Sequence, residues 1–155
     1  MKALERAAGD CEVAGMEEGE VEEMLKLAVR LHGHLGPFLV LGLRAGLTAR
    51  KLLGGVSRVE AAVFLEPPTS CILDGLQVSS GCTVGNGRLT VTATKRREEA
   101  KATFHSDKDV LTIVFSEDFI KQLLTSLPKD KEELGEVARE VLRESEGKLF
   151  QMRHR

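Results

Sequence analysis

The segment Leu31-His32-Gly33-His34-Leu35-Gly36-Pro37, together with Cys71, Asp74 and Cys82 from the middle of the chain, holds the side chains best suited to chemistry. Imidazole and thiolate are good ligands for borderline-soft cations such as zinc, and four of them sit in or beside glycine-rich turns. The expectation is a metal or thiol site drawing on His32, His34, Cys71 and Cys82, with Cys71 and Asp74 as the candidates for reaction chemistry. Residues two apart on a helix point about 200° from each other and cannot share an ion. Gly33, Gly36 and Pro37 argue instead for a turning backbone, in which His32 and His34 can face the same way. The alternative is a chain reversal in which one histidine bonds a carbonyl and the other is solvated.

Cys71 falls in the predicted first turn of a helix, where the dipole favours thiolate over thiol and lowers the pKa. Asp74 shares a helix face with it and could orient a histidine, ligate a metal or act as a general base. A carboxylate there also stabilises a helix start without any catalysis. Cys82 follows Gly81 in a glycine-rich loop, as a ligand or as a buried, inert thiol. Glu66 precedes Pro67-Pro68 at a strand end, and Thr83 and Asn86 are expected to bond their own loop. The run from Gly81 to Gly87 lacks the Lys-Ser/Thr ending of a phosphate loop and precedes a strand, so nucleotide binding there is excluded. His105 is expected at the surface and His154 in a frayed basic tail.

These residues need elements to position them. Residues 1–16, with Cys11, show no period and read as a loosely held arm, leaving 17–155 as one core domain. From Glu18 the positions Val21, Met24, Leu25, Ala28 and Leu31 recur at helical spacing, so a first helix should run into the His-Gly-His turn and end near Gly33. Pro37 suits a helix start, and Phe38 to Leu53 is apolar almost all round, predicting a buried central helix closed by Gly54-Gly55. Arg58 to Leu65 reads as a strand, and Thr69 or Ser70 should cap the helix that carries Cys71 and Asp74 and breaks at Gly81. Arg88 to Thr94, Ala100 to Ser106 and Val110 to Phe115 read as an antiparallel meander, with Lys95 to Glu99 as a solvated hairpin turn. Two helical stripes follow, Phe119 to Leu127 and Leu134 to Leu142; the second opens on Asp130 with Glu133 as a capping box and should end at Gly147. Helices, strands and helices in turn give an α+β fold, an antiparallel sheet packed against helices.

Composition narrows the function further. With 22 Lys plus Arg against 24 Asp plus Glu and a net charge of −2, there is no electrostatic case for nucleic acid or an anionic membrane. The longest apolar run is far short of the ~20 residues of a membrane span, and the amino terminus is acidic, which points to a cytoplasmic protein. Three cysteines without Cys-x-x-Cys spacing make a disulfide framework a poor reading. Trp and Tyr are absent, so bases find no stacking platform.

The ordered succession of His32-Gly33-His34-Leu35-Gly36-Pro37, Cys71-Ile72-Leu73-Asp74-Gly75-Leu76-Gln77 and Gly81-Cys82-Thr83-Val84-Gly85-Asn86-Gly87 resembles the E-type accessory-subunit family of formylmethanofuran dehydrogenase, from about Val21 to Phe115. The resemblance implies an α+β core, usually a homodimer, with a cleft whose His32, His34, Cys71 and Cys82 hold a divalent transition metal, most often zinc. Larger members add a carboxy-terminal treble-clef zinc finger of paired Cys-x-x-Cys motifs, and no cysteine follows Cys82 here. Expected partners are therefore a second copy and, in a methanogenesis-related setting, dehydrogenase-type or other redox subunits.

Three functions compete. The first is a metal-binding accessory domain. The second is a metal-dependent, hydrolase-like enzyme acting on a small amide or formyl substrate, with Asp74 or a histidine shuttling protons. The third is a metal-free homodimeric interaction module, in which the Phe38–Leu53 helix, with Gly42 and Gly46, crosses a two-fold axis.

Overall fold

The computed structural model describes residues 17–155, so the predicted arm of residues 1–16, with Cys11, lies outside the described residues. The order is α1 (Glu18–His32), α2 (Pro37–Leu53), β1 (Arg58–Val63), a 3-10 turn (Thr69–Cys71), α3 (Ile72–Ser80), β2 (Leu89–Ala93), β3 (Lys101–His105), β4 (Val110–Phe115), α4 (Glu117–Thr125), α5 (Lys131–Arg143), α6 (Glu146–Leu149) and β5 (Phe150–His154). The fold is α+β, as the alternation of apolar periods predicts.

α1 begins and ends where its pattern says, with Gly33 at φ +107° as the left-handed stop. Val21, Leu25 and Ala28 are buried, but Leu31 is 56 % exposed, so the apolar stripe ends one turn early. Pro37 occupies the first turn of α2, whose residues from Pro37 to Ala49 are all buried. That burial lies within the protomer, so the stretch from Pro37 to Ala49 has no face free to cross a two-fold axis, and only the last turn of α2, with Arg50, Lys51 and Leu52, is exposed. Gly42 and Gly46 instead admit α3. A Cβ on Gly42 would lie 2.0 Å from the Ile72 carbonyl oxygen, and one on Gly75 would lie 2.1 Å from that of Leu39. The Ser79 hydroxyl sits at the crossing, 2.8 Å from the Gly75 oxygen of its own helix and 3.3 Å from the Gly42 oxygen of α2, so it can donate across to α2.

The sheet order is β2-β1-β3-β4-β5. β1 runs parallel to β2 and antiparallel to β3, and the remaining pairs are antiparallel. This corrects the meander, because β1 inserts between β2 and β3 and the 95–99 turn joins two strands that are not neighbours. Period-two patterning could not have revealed this, since pairing partners are not encoded in alternation. Alternate residues Val59, Ala61, Val63, Ala102, Phe104, Leu111, Ile113 and Phe115 supply the buried face. The terminal segment is strand β5 rather than a frayed tail: Phe115 pairs with Phe150 in register, their rings edge-to-face at 6.0 Å, and His154 lies opposite Leu111.

α5 is capped by Asp130, which accepts from the Glu133 amide, but it stops at Arg143, and Gly147 falls inside α6. Arg44, only 2 % exposed on the otherwise apolar α2, donates to the Val141 and Glu144 carbonyls and so caps the end of α5. Thr48 adds a 2.6 Å bond to Glu146. No helix among the described residues is long and apolar enough to cross a membrane.

Candidate functional site

The site lies where the carboxy-terminal end of α1 meets the amino-terminal ends of α2 and α3. Gly33 ends α1 directly after His32, so the chain turns and His34 comes back beside it, with ring centroids 4.9 Å apart. Gly36 lies against the His34 ring, where an added Cβ would stand 3.4 Å from Nε2, an ordinary contact. The turning backbone expected from the glycines thus does bring the two imidazoles together.

The Pro67-Pro68 segment leads into the 3-10 turn, which delivers Cys71 to the start of α3. Neither Thr69 nor Ser70 caps that helix by a side-chain bond. Thr69 is buried and donates to the Arg97 carbonyl instead. One turn on, Asp74 Oδ2 lies 2.7 Å from His32 Nδ1, a bond that joins α3 to α1 across the site. The carboxylate accepts, so Nδ1 carries a proton, and in the neutral imidazole Nε2 then keeps its lone pair. Gln77 completes the arrangement. Its Nε2 faces Asp74 Oδ1 at 3.4 Å and its Oε1 accepts the Val84 amide at 3.1 Å.

Two concavities share these groups. A cavity of about 60 Å³ is lined by His32, His34 and Cys71, and is closed by Phe38, Leu127 and Leu134. A groove of about 470 Å³ also takes in His32, Cys71 and Asp74, and runs past Gln77 to Val84, Leu89 and Val91. The small cavity suits an ion or a water. The groove has the size and the apolar lining, with a polar end, of a small-molecule site.

The electrostatics differ from the helix-dipole expectation. Burial first, and then the negative charge of Asp74, push the Cys71 thiol up to about 11, so at neutral pH it is a thiol and not a thiolate. The dipole of a short helix is outweighed. His34 is pushed below the ordinary imidazole value by burial, then by His32 and Lys131.

Cys82 is not brought to this place. It is buried beyond the far end of α3, about 15 Å along the axis from Cys71 at 1.5 Å per residue. There its Sγ faces the Val56 and Ser80 carbonyls, and burial raises its pKa. Thr83 and Asn86 bond their own loop as expected. His105 pairs with Glu60 at 2.6 Å on the sheet, away from the site. Three donors, His32, His34 and Cys71, therefore line one cavity, but among the described residues no three His, Cys, Asp or Glu side chains stand as a ready-made metal-binding group. Sequence reasoning missed Gln77, although its spacing of three from Asp74 places it on the same helix face.

A stretch of 92 residues is 32 % identical to a protein of Archaeoglobus fulgidus named as a probable S-adenosyl-L-methionine-binding protein, covering 54 % of this chain and 25 % of that relative. The chain thus spans about a quarter of that relative's length. The family model described as FmdE, molybdenum formylmethanofuran dehydrogenase operon, matches residues 31–152. That span opens on the residue before His32 and ends within β5, so it contains both imidazoles, Cys71 and the sheet up to Met152, and the chain belongs to the FmdE family.

Proposed function

We propose that this chain is the core of an accessory domain related to the E-type accessory component of formylmethanofuran dehydrogenase, and that its cavity holds a zinc-class divalent cation between His32, His34 and Cys71, with Asp74 orienting His32. The observation that carries the reading is the 2.7 Å bond from His32 Nδ1 to Asp74 at the wall of a cavity that also receives His34 and Cys71. Metal-bound imidazoles commonly donate their second nitrogen to a carboxylate in this way, which fixes the tautomer and leaves Nε2 as the ligand atom.

The donor set of two imidazoles and a thiol fits zinc. Among the described residues it is incomplete, and water, a molecule in the groove or a second copy can supply further donors. Cys71 is neutral without a cation, and a neighbouring positive charge favours its thiolate. Such a cation would act as a Lewis acid on whatever occupies the groove. The chain's own residues orient His32, keep one face of the cavity apolar through Leu127 and Leu134, and leave the groove open to a small organic ligand. Pairing with a second copy and association with dehydrogenase-type or other redox subunits belong to the same reading.

Metal analysis of protein made without an affinity tag in zinc-replete medium tests it. About one equivalent of divalent metal per chain is expected, lowered by His32→Ala, His34→Ala and Cys71→Ser but not by Cys82→Ala. Less than about a tenth of an equivalent in the native protein refutes the metal reading. S-adenosylmethionine, named for the Archaeoglobus fulgidus relative, is the first organic molecule to titrate into the groove.

A further inference from the structure

We infer that Gln77 is a positioning residue: it fixes the Asp74 carboxylate, and through it the tautomer of His32, by anchoring both to the Gly81–Gly87 loop. Three hydrogen bonds run in series. The Val84 amide donates to Gln77 Oε1 at 3.1 Å, Gln77 Nε2 donates to Asp74 Oδ1 at 3.4 Å, and His32 Nδ1 donates to Asp74 Oδ2 at 2.7 Å. The direction of the series is settled by its first member. A backbone N–H can only donate, so the Gln77 oxygen must face Val84 and its amide hydrogens must face Asp74.

The anchor is rigid. Asn86 Oδ1 accepts from the Thr83 and Arg88 amides at 2.9 and 3.0 Å, and its Nδ2 donates to the Gly81 carbonyl at 2.9 Å, so the loop is held from inside. Val84 itself is 65 % exposed, and its side chain leaves into solvent while its amide stays committed to Gln77. At the other end, an aspartate carboxylate turns about a broad, roughly two-fold torsion. One bond, to His32, leaves that rotation free; a second, from Gln77 on the other oxygen, stops it. A turned carboxylate loses His32, and a neutral imidazole without that partner favours the proton on Nε2, the atom that should stay unprotonated toward the cavity.

This rests on the reading that His32 presents Nε2 to the cavity, and the test keeps the two apart. It uses the full chain, stripped of metal by chelator, and reads the imidazole nitrogens by nitrogen-15 NMR at about pH 8, above the ordinary histidine range. His32 in the native protein should show a protonated Nδ1. Gln77→Met keeps length and helix propensity while removing both bonds, and should move the tautomer ratio toward Nε2–H by about fivefold, the ratio one ordinary hydrogen bond supports. Gln77→Leu reads the same quantity should the Met variant fail to fold. Asp74→Leu, which removes the acceptor, is the reference and should move the ratio at least as far. A shift with Asp74→Leu but none with either Gln77 variant overturns the inference. No shift with Asp74→Leu overturns the His32–Asp74 premise as well. A role limited to helix stability lowers the unfolding midpoint and leaves the tautomer of the folded protein unchanged, which also counts against it.

Discussion

Replacing Gly42 by alanine adds one methyl group at the crossing of α2 and α3, and the structure says what that group meets. The new Cβ would stand 2.0 Å from the Ile72 carbonyl oxygen and 2.9 Å from the Leu76 nitrogen, whereas ordinary contact begins near 3.4 Å. The obstacle is backbone, which cannot swing aside, so the helices must part by about 1.4 Å at that point. Forcing extra volume into a packed core costs about 1–3 kcal/mol or more, against which alanine returns about 1 kcal/mol of helix propensity. Because the obstacle is backbone, the upper end of that range applies, a net loss of about 2 kcal/mol read as a lowered denaturant midpoint. Because α3 carries Cys71 and Asp74, the same shift should also weaken the His32–Asp74 bond and any metal occupancy. Gly135→Ala in α5 is the matched control. Its Cβ would meet only Leu35 Cδ2 at 3.8 Å, so propensity acts alone and stability should rise by up to about 1 kcal/mol. A Gly42→Ala protein as stable as the native one would refute the close-crossing argument.

Arg44→Leu should cost about 2–4 kcal/mol in equilibrium unfolding, since it strips the Val141 and Glu144 carbonyls of a buried donor and loosens α5 on α2; a change under about 1 kcal/mol would contradict this. In chelator-treated protein, Cys71 should alkylate slowly at neutral pH. A pKa of about 11 in place of 9.0 leaves about a hundredfold less thiolate than an unperturbed thiol has, and iodoacetamide labelling followed by peptide mass analysis would show it. His34 has a lowered folded pKa, so protons bind it more readily in the unfolded chain. Its contribution to stability is complete above about pH 6.5 and is lost as pH falls from there through the folded value. Denaturant midpoints of metal-free protein between about pH 7 and pH 5 should show that slope reduced in His34→Gln.

Local readings in the sequence held where the deciding interaction lies close along the chain. Gly33 stops α1, Pro37 opens α2, Asp130 caps α5, and the Thr83–Asn86 loop bonds itself, each through atoms a few residues apart. Asp74 as a partner for a histidine could be foreseen from residue type, and the turning backbone at Gly33 allowed His32 and His34 to face together without deciding it. The sheet order was not legible, because a strand's alternation states which face is buried but not which strand lies beside it. Cys71 was misjudged for a similar reason: the helix start is local, whereas the burial and the Asp74 charge that raise its pKa come from packing.

What the sequence by itself determined is the set of elements as far as Arg143 and the inventory of donors at their ends, since propensity, capping and glycine geometry act over one turn. Only the tertiary structure decided which donors share a cavity. It carries His32, 42 residues away in sequence, to Asp74 by crossing two helices at glycines, and it leaves Cys82 at the other end of α3. Helix length is the physical reason. A segment that positions one end within bonding distance of the site must, at 1.5 Å per residue, hold its other end well outside it.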